Sequence, residues 1–396
     1  MPLRPPAGFI SANYDPLRNP DAPTGVTASA GDAQASVSFT APANPGGSAI
    51  SAYYAVSNPG QITASGASSP VTVTGLSNGT AYTFQVWALN TFGPGAFSAA
   101  SGSVTPFTPS RGVFAGGAGG GNVIQYITIE TTGNATDFGD LSSTPAEFSA
   151  GCGSTTRGLI GRGISFNIQY ITFATTGNST LFGNLSVDRY GMASCNSSTR
   201  GIFSGGQTST STGSQSNVID YVAIATTGNA TDFGDLTVAR GLFSGSSSST
   251  TGVFSGGRTI GVITYYNVID YITIASTGNA TDFGDLSLAV AGTGSASNAT
   301  RSLIAFGGNA VDNYNTVEYI TIATTGNTTD FGDLAYPGIG VAGVSNSTRA
   351  VFAGNPSGAN MNYFIIATTG NYTTFGNLLT TSYWMGSCSS ANGGTQ

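Results

Sequence analysis

An all-β chain is predicted: an N-terminal β-sandwich over residues 20–106 and a six-bladed β-propeller over residues 111–396. Three observations lead there. Short alternating runs bounded by Gly, Pro and Asn turns fill the N-terminal part. Beyond them, a stretch typified by YITIATTGNATDFGDL recurs in six copies. The composition is 39% hydrophobic and 7% charged, with Tyr, Phe, Ile and Val throughout, which suits strands and turns and not a disordered chain.

Residues 1–19 form a Pro-rich arm. MPLRPPAGFISANYDPL has no apolar core of a signal peptide, and no later segment approaches the roughly 20 apolar residues of a membrane helix. The sandwich strands are expected in GVTASA, ASVSFT, ISAYYAVS, PVTVTGL, AYTFQVWALN and GSVTP. Strand alternation puts Tyr82, Phe84 and Val86 on one face, with Phe39, Tyr53 and Val73 as partners across the sandwich. The string TVTGLSNGTAYTFQVWALN resembles the fibronectin type III family, in which a Leu six residues before a Tyr marks a corner. Leu76 and Tyr82 fit, and Phe39 stands where many members carry Trp. The resemblance implies a Tyr82 hydroxyl bonded to upstream backbone. Function does not follow from it.

After a linker at 107–110, alignment on Tyr126, Tyr170, Tyr221, Tyr271, Tyr319 and Tyr363 gives spacings of 44, 51, 50, 48 and 44 residues. Such a period is that of propeller blades, whereas coils of a parallel β-solenoid, the main rival, are usually shorter. Each unit reads as a Gly-Gly-ending strand such as RGVFAGG, a variable loop, NVIDYITIATT, Gly-Asn, ATDFGDL, and a Ser/Gly/Ala-rich run. Four strands per unit buried on both faces, with closure removing sheet edges, is the economical reading. The Gly-Gly strand followed by a Tyr strand resembles the kelch family, although no Trp follows the Tyr.

Chemistry has few candidates. A net charge of −7 gives no cationic footprint for nucleic acid, and the absence of His removes Ser-His-Asp catalysis and most zinc sites. No cofactor and no enzymatic activity are expected. DFG lacks the nucleotide loop and catalytic lysine of a kinase. The repeated carboxylates suggest calcium, but the first position reads Asp137, Leu181, Asp232, Asp282, Asp330 and Thr374 across the units, and a ligand position does not accept Leu. The second reads Asp140, Asn184, Asp235, Asp285, Asp333 and Asn377, as for a side chain closing an Asx turn. Asn134 is expected second in a hairpin turn that needs positive φ. Cys152, Cys195 and Cys388 fall in one repeated strand whose other copies carry Ala296 and Val344, so packing is expected of them. Arg111, Arg157, Arg200, Arg301 and Arg349 recur before the first strand of their units, with Thr251 in the remaining copy. They pair with acidic or carbonyl groups between blades or else form a basic ring.

The segments that fail to repeat, 207–216, 258–266, 309–314 and 355–362, are the expected binding loops, with Gln207, Tyr265, Tyr266, Asn313 and Tyr314 as candidate ligand contacts. A fibronectin-like module followed by Gly/Ser/Thr/Asn-rich repeats resembles tailed-bacteriophage virion proteins, and TTGNATDFGDL resembles repeats of marine phage structural proteins. The resemblance implies a virion location, several copies per particle and other virion proteins as partners. A tail fibre or surface appendage contacting host glycan is the leading expectation. A head-decoration or tail-assembly protein anchored by the arm is the alternative, and a propeller glycosidase a third reading.

Overall fold

The computed structural model describes residues 17–142, 147–161, 166–208 and 214–391, so most of the N-terminal arm and the centre of the 207–216 loop lie outside the described residues. The chain divides into two compact units, Met1–Pro109 and Ser110–Gln396.

The first unit is a sandwich of two antiparallel sheets. One holds β1 (Thr24–Gly31), β2 (Gln34–Thr40) and β5 (Val71–Thr74) in the order β1-β2-β5. The other holds β3 (Ala52–Asn58), β4 (Thr63–Gly66), β6 (Thr83–Asn90) and β7 (Gly93–Pro94) in the order β4-β3-β6-β7. Alternation places Phe39, Tyr53, Val73, Tyr82, Phe84 and Val86 in one core. The Tyr82 hydroxyl accepts the Ser77 N–H at 3.1 Å, which ties the corner beside buried Leu76. One expected strand is absent: GSVTP contributes only a bridge between Val104 and Tyr82. The backbone of Ser98 and Ser101 reaches the last long strand instead, with their hydroxyls also accepting its Val86 and Phe84 N–H groups.

The second unit consists of six four-stranded antiparallel sheets. In sheet order, sheet 1 contains Gly386–Ser389, Arg111–Ala115, Val123–Thr128 and Thr136–Asp140. Sheet 2 contains Ala150–Gly153, Arg157–Gly161, Asn167–Thr172 and Thr180–Asn184; sheet 3, Ala193–Asn196, Arg200–Ser204, Val218–Ala223 and Thr231–Asp235. Sheet 4 contains Ser244–Ser247, Thr251–Ser255, Val268–Thr273 and Thr281–Asp285; sheet 5, Gly294–Ser297, Arg301–Ala305, Tyr314–Thr321 and Thr329–Gly338. Sheet 6 contains Ala342–Ser345, Arg349–Asn355, Gly358–Ile365 and Thr373–Asn377. The sequence repeat and the sheet are therefore out of phase by one strand. The Ser/Gly/Ala-rich run that ends a repeat is the first strand of the next sheet, and the final run, Gly386–Ser389, pairs with Arg111–Ala115 of the first repeat.

Burial on both faces follows from the hydrophobic pattern. Six apolar clusters join each sheet to its neighbours in chain order, and one of them joins sheet 6 to sheet 1 through Phe375, Met361, Val351, Ile127 and Ile129. The Phe of every DFG-type motif is buried, 2–3% exposed, and meets the repeat Tyr edge-on, as in Tyr126 and Phe138 at 5.9 Å. A β-bulge does this. The register passes from Asp137 opposite Gln125 to Gly139 opposite Ile124, so Phe138 is the extra residue and its ring turns into the core. Full burial of such a ring contributes ~1.5–3 kcal/mol.

The same motif clasps neighbouring sheets. The Asn178 side chain accepts the Asp140 N–H at 3.0 Å, and equivalent bonds join Asn184 to Asn229, Asp235 to Asn279, Asp285 to Asn327, Asp333 to Asn371 and Asn377 to Asn134. Gly177 N–H donates to the Phe138 carbonyl at 2.7 Å alongside. Two expectations are corrected here. Asn134 is not at positive φ, since its role is to accept a bond from the next sheet. The second Asp or Asn closes no Asx turn: it acts through its backbone N–H, which explains why either residue serves. Gly139, at φ 145°, lies so close to the next sheet that a Cβ there would sit 2.5 Å from the Gly177 carbonyl.

The recurrent arginines resolve as clamps between sheets. Each guanidinium lies 4.5–4.7 Å above the Tyr ring of its own sheet. Arg157 donates to the Ile224 and Ala225 carbonyls of the next sheet, Arg200 to Ile274 and Ala275, Arg301 to Ile366 and Ala367, Arg349 to Ile129 and Glu130, and Arg111 to Phe173. The cysteines pack as expected. Cys152, Cys195 and Cys388 are buried opposite Gly201, Gly252 and Gly158, where a Cβ would approach the sulfur within 2.5–2.8 Å. Where the cysteine position holds Ser246, its hydroxyl bonds Ser302 at 2.5 Å instead. Burial pushes the Cys388 thiol up to about 12 and raises the other two as well, so none is a thiolate nucleophile.

Candidate functional site: the mouth of the central cavity

Antiparallel strands put the loops between second and third strands, and the connections from fourth strands to the next sheet, at one end of the sheets. Bridges confirm the pairing: Tyr190 with Gln207, Gly241 with Arg258, Ala291 with Gly308 and Ala118 with Tyr383. The described parts of the irregular insertions therefore gather at this end.

The six first strands pack against one another in order, the last against the first, and enclose a cavity of about 100 Å³ at this end, with a second of about 50 Å³ behind it. Gly and Ser make up half of its walls, beside Ala, Val, Met, Thr and aromatic residues, and the serines are there for a structural reason. Ser194, Ser295 and Ser387 each donate a hydroxyl to a glycine carbonyl of the preceding strand, Gly151, Gly245 and Gly343, at 2.7–2.9 Å. Deeper, Ser247, Ser297 and Ser345 donate in the same way to the Asn196, Ser247 and Ser297 carbonyls. These hydroxyls hold strands together, and among the described residues no Asp, Glu or Lys lines either cavity.

The entrance is built differently. Phe148, Gly191, Leu242, Gly292, Gly340 and Trp384, one before each first strand, are all left-handed, with φ of 59–72°. Their peptide groups bond in sequence: Trp384 N–H to Gly340 O, Gly340 to Gly292, Gly292 to Leu242, Leu242 to Gly191 and Gly191 to Phe148, at 2.7–3.0 Å, with Ser149 N–H to Trp384 O at 3.4 Å completing the series. Left-handed backbone suits glycine and costs a bulky residue of order 1–3 kcal/mol. Three bulky residues nevertheless occupy it. Leu242 lies over Gly191, and the Trp384 ring lies over Gly340 and reaches Gly292, where a Cβ would come within 2.5–2.8 Å of the side chain. Phe148 meets Trp384 at 5.1 Å and Tyr190 at 5.8 Å. Phe148, Tyr190 and Trp384 are half-buried, so an aromatic surface faces outward, and burial raises the Tyr190 phenol.

The residues expected to bind ligand do not converge. Gln207 is 1% exposed and packs against Gly241, which corrects its assignment to an open loop. Tyr265 is half-buried against Arg258, whose guanidinium reaches its hydroxyl at 3.4 Å. Tyr314 is half-buried and its hydroxyl accepts from Asn309 at 3.2 Å. Tyr266 is half-buried, bonded through its backbone to Gly257 and Val290, and Asn313 is exposed and bridged to Gly308. None of the five lines the cavity.

Sequence reasoning also missed two buried ion pairs near the entrance. Arg189 meets Asp220 at 2.8 Å and Arg240 meets Asp270 at 2.7 Å, all four side chains fully buried. Burial lowers both guanidinium pKa values, opposed by the aspartate beside each. The aspartates occupy a column, Gln125, Gln169, Asp220, Asp270, Glu318 and Asn362, whose side chains accept bonds from the connection leaving the preceding sheet or, at Asn362, from Ala335 in its fourth strand. Arginine appears in that connection in the two units whose column residue is Asp. Among the described residues no group of three or more His, Cys, Asp or Glu is placed to hold a metal ion, and no helix is long and apolar enough to cross a membrane.

Residues 21–103 match the fibronectin type III domain family. No curated protein is similar to the chain in sequence.

Proposed function

We propose that residues 110–391 form a six-bladed, kelch-like β-propeller serving as a rigid, non-enzymatic binding head, and that the chain is a virion appendage whose head contacts glycan on a host surface. The propeller reading is supported by four cyclic series: apolar clusters, Asn clasps, entrance backbone hydrogen bonds and first-strand contacts all return from sheet 6 to sheet 1 or from the last entrance residue to Ser149 beside the first. The virion reading rests on the resemblance of the repeats and of the sandwich-plus-repeat order. One observation carries the binding role. The scaffold departs from glycine at three left-handed positions around a single entrance, and two of those departures are half-exposed aromatics. Strain retained at such a place points to use, and aromatic faces beside a polar cavity suit a sugar ring.

The chain has two tryptophans, and Trp87 is stacked on Tyr54 in the sandwich. In a Trp87→Phe variant, emission therefore reports Trp384 alone. Envelope glycans of the host should change that emission saturably, and Trp384→Ala should weaken glycan binding about tenfold, a ~1.4 kcal/mol loss, while the second unit keeps its cooperative melt. Undiminished binding by Trp384→Ala would refute the proposed site.

A further inference from the structure

Five of the six seams between sheets are closed by an arginine, and the sixth is not. Thr251 stands in sheet 4 where the others carry Arg111, Arg157, Arg200, Arg301 and Arg349. The cage around the missing guanidinium is intact. Thr251 pairs with Thr273 and Val253 with Tyr271, the register that places Arg111 opposite Thr128 and Val113 opposite Tyr126. Tyr271 keeps its edge-on contact with Phe283 at 5.8 Å and is half-exposed. The clasp across this seam is the ordinary one, Asp285 N–H to Asn327 at 3.0 Å. The carbonyl oxygens that would receive the guanidinium belong to Ile322 and Ala323, the counterparts of Ile274 and Ala275 that Arg200 engages. Among the described residues no side chain donates to either of them. Ala323 is exposed, so the cage opens to solvent.

We propose that the seam between sheets 4 and 5 is a receptor for the guanidinium of an arginine presented by another polypeptide. The planar group would lie on Tyr271 and donate to two adjacent carbonyls, as four of the native occupants do. An ammonium offers neither the flat face nor the paired donors. Nothing in the cage reads a free amino acid's carboxylate or amine, which favours a side chain carried on a chain. The site also lies at the start of a second strand, the end of the sheets opposite the cavity mouth, so an occupant leaves the mouth free. It does not depend on the glycan reading.

The test is a titration of the full chain, labelled at Thr, Ile and Ala methyls, with N-acetyl-arginine N-methylamide. Saturable shifts are expected at Thr251, Ile322 and Ala323, absent with the neutral citrulline counterpart and weakened about threefold by Tyr271→Leu. Thr251→Arg should fill the cage from within and abolish the shifts at Ile322 and Ala323. No saturable shift at these methyls, or equal shifts with citrulline, overturns the proposal.

Discussion

Asp270→Ala is expected to destabilise the second unit by ~3–5 kcal/mol, because it leaves Arg240 as an unpaired cation in a fully buried position. The remaining acceptors of Arg240, the Phe254 and Val238 carbonyls at 3.3 Å, are neutral and cannot replace a carboxylate. Replacing both partners by apolar residues of similar volume, Arg240→Met with Asp270→Leu, should recover most of the loss. Urea melts of the two single variants and the double variant form a cycle that isolates the pair. A single Asp270→Ala cost below ~1 kcal/mol would mean that water reaches the guanidinium.

Gly139→Ala should destabilise the same unit by ~3 kcal/mol, the sum of a backbone conformation open to glycine and an overlap of the new methyl with the Gly177 carbonyl. Its neighbours make the contrast informative. Asp137 is exposed and Asp140 half-exposed, and neither side chain is bonded within the described residues, so Asp137→Ala and Asp140→Ala should each stay within ~0.5 kcal/mol. Asn178→Ala, which removes one exposed bond between sheets, should fall between at ~1 kcal/mol. A motif that bound metal would reverse that order, with the carboxylates mattering most. Melting temperatures of the four variants check it.

The internal repeats carried much of this. Leu181 and Thr374 stand where other copies carry Asp, which argues against a repeated calcium ligand, and Ala296 and Val344 stand where other copies carry Cys, which points to packing. Asn134, Asn178, Asn229, Asn279, Asn327 and Asn371 never vary, and that constancy already marked a residue with a fixed partner. The partner itself was hidden, because it is a backbone N–H in another repeat, and local turn chemistry offered a nearer explanation. The phase of the repeat was hidden similarly: strand periodicity gives four strands but not which neighbour claims the fourth.

The cavity mouth was harder to see. Its six positions read Phe, Gly, Leu, Gly, Gly and Trp, which as side chains look like an unconstrained column. What they share is a left-handed backbone set by hydrogen bonds to peptide groups in neighbouring repeats, and residue type records that poorly. The ion pairs left a clearer trace, since Arg189 and Arg240 occur in the connections leading to the sheets that carry Asp220 and Asp270.

The mouth exists only if the six sheets close on themselves, and closure depends on Gly386–Ser389 pairing with Arg111–Ala115. Calorimetry of the full chain beside a chain ending at Met385 tests this most directly. With closure, the truncated chain should lose the cooperative transition of the second unit while the transition of the sandwich persists. If the second unit instead melts within a degree or two of the full chain, the first and last repeats do not hold the ring, and the account of the mouth fails with it.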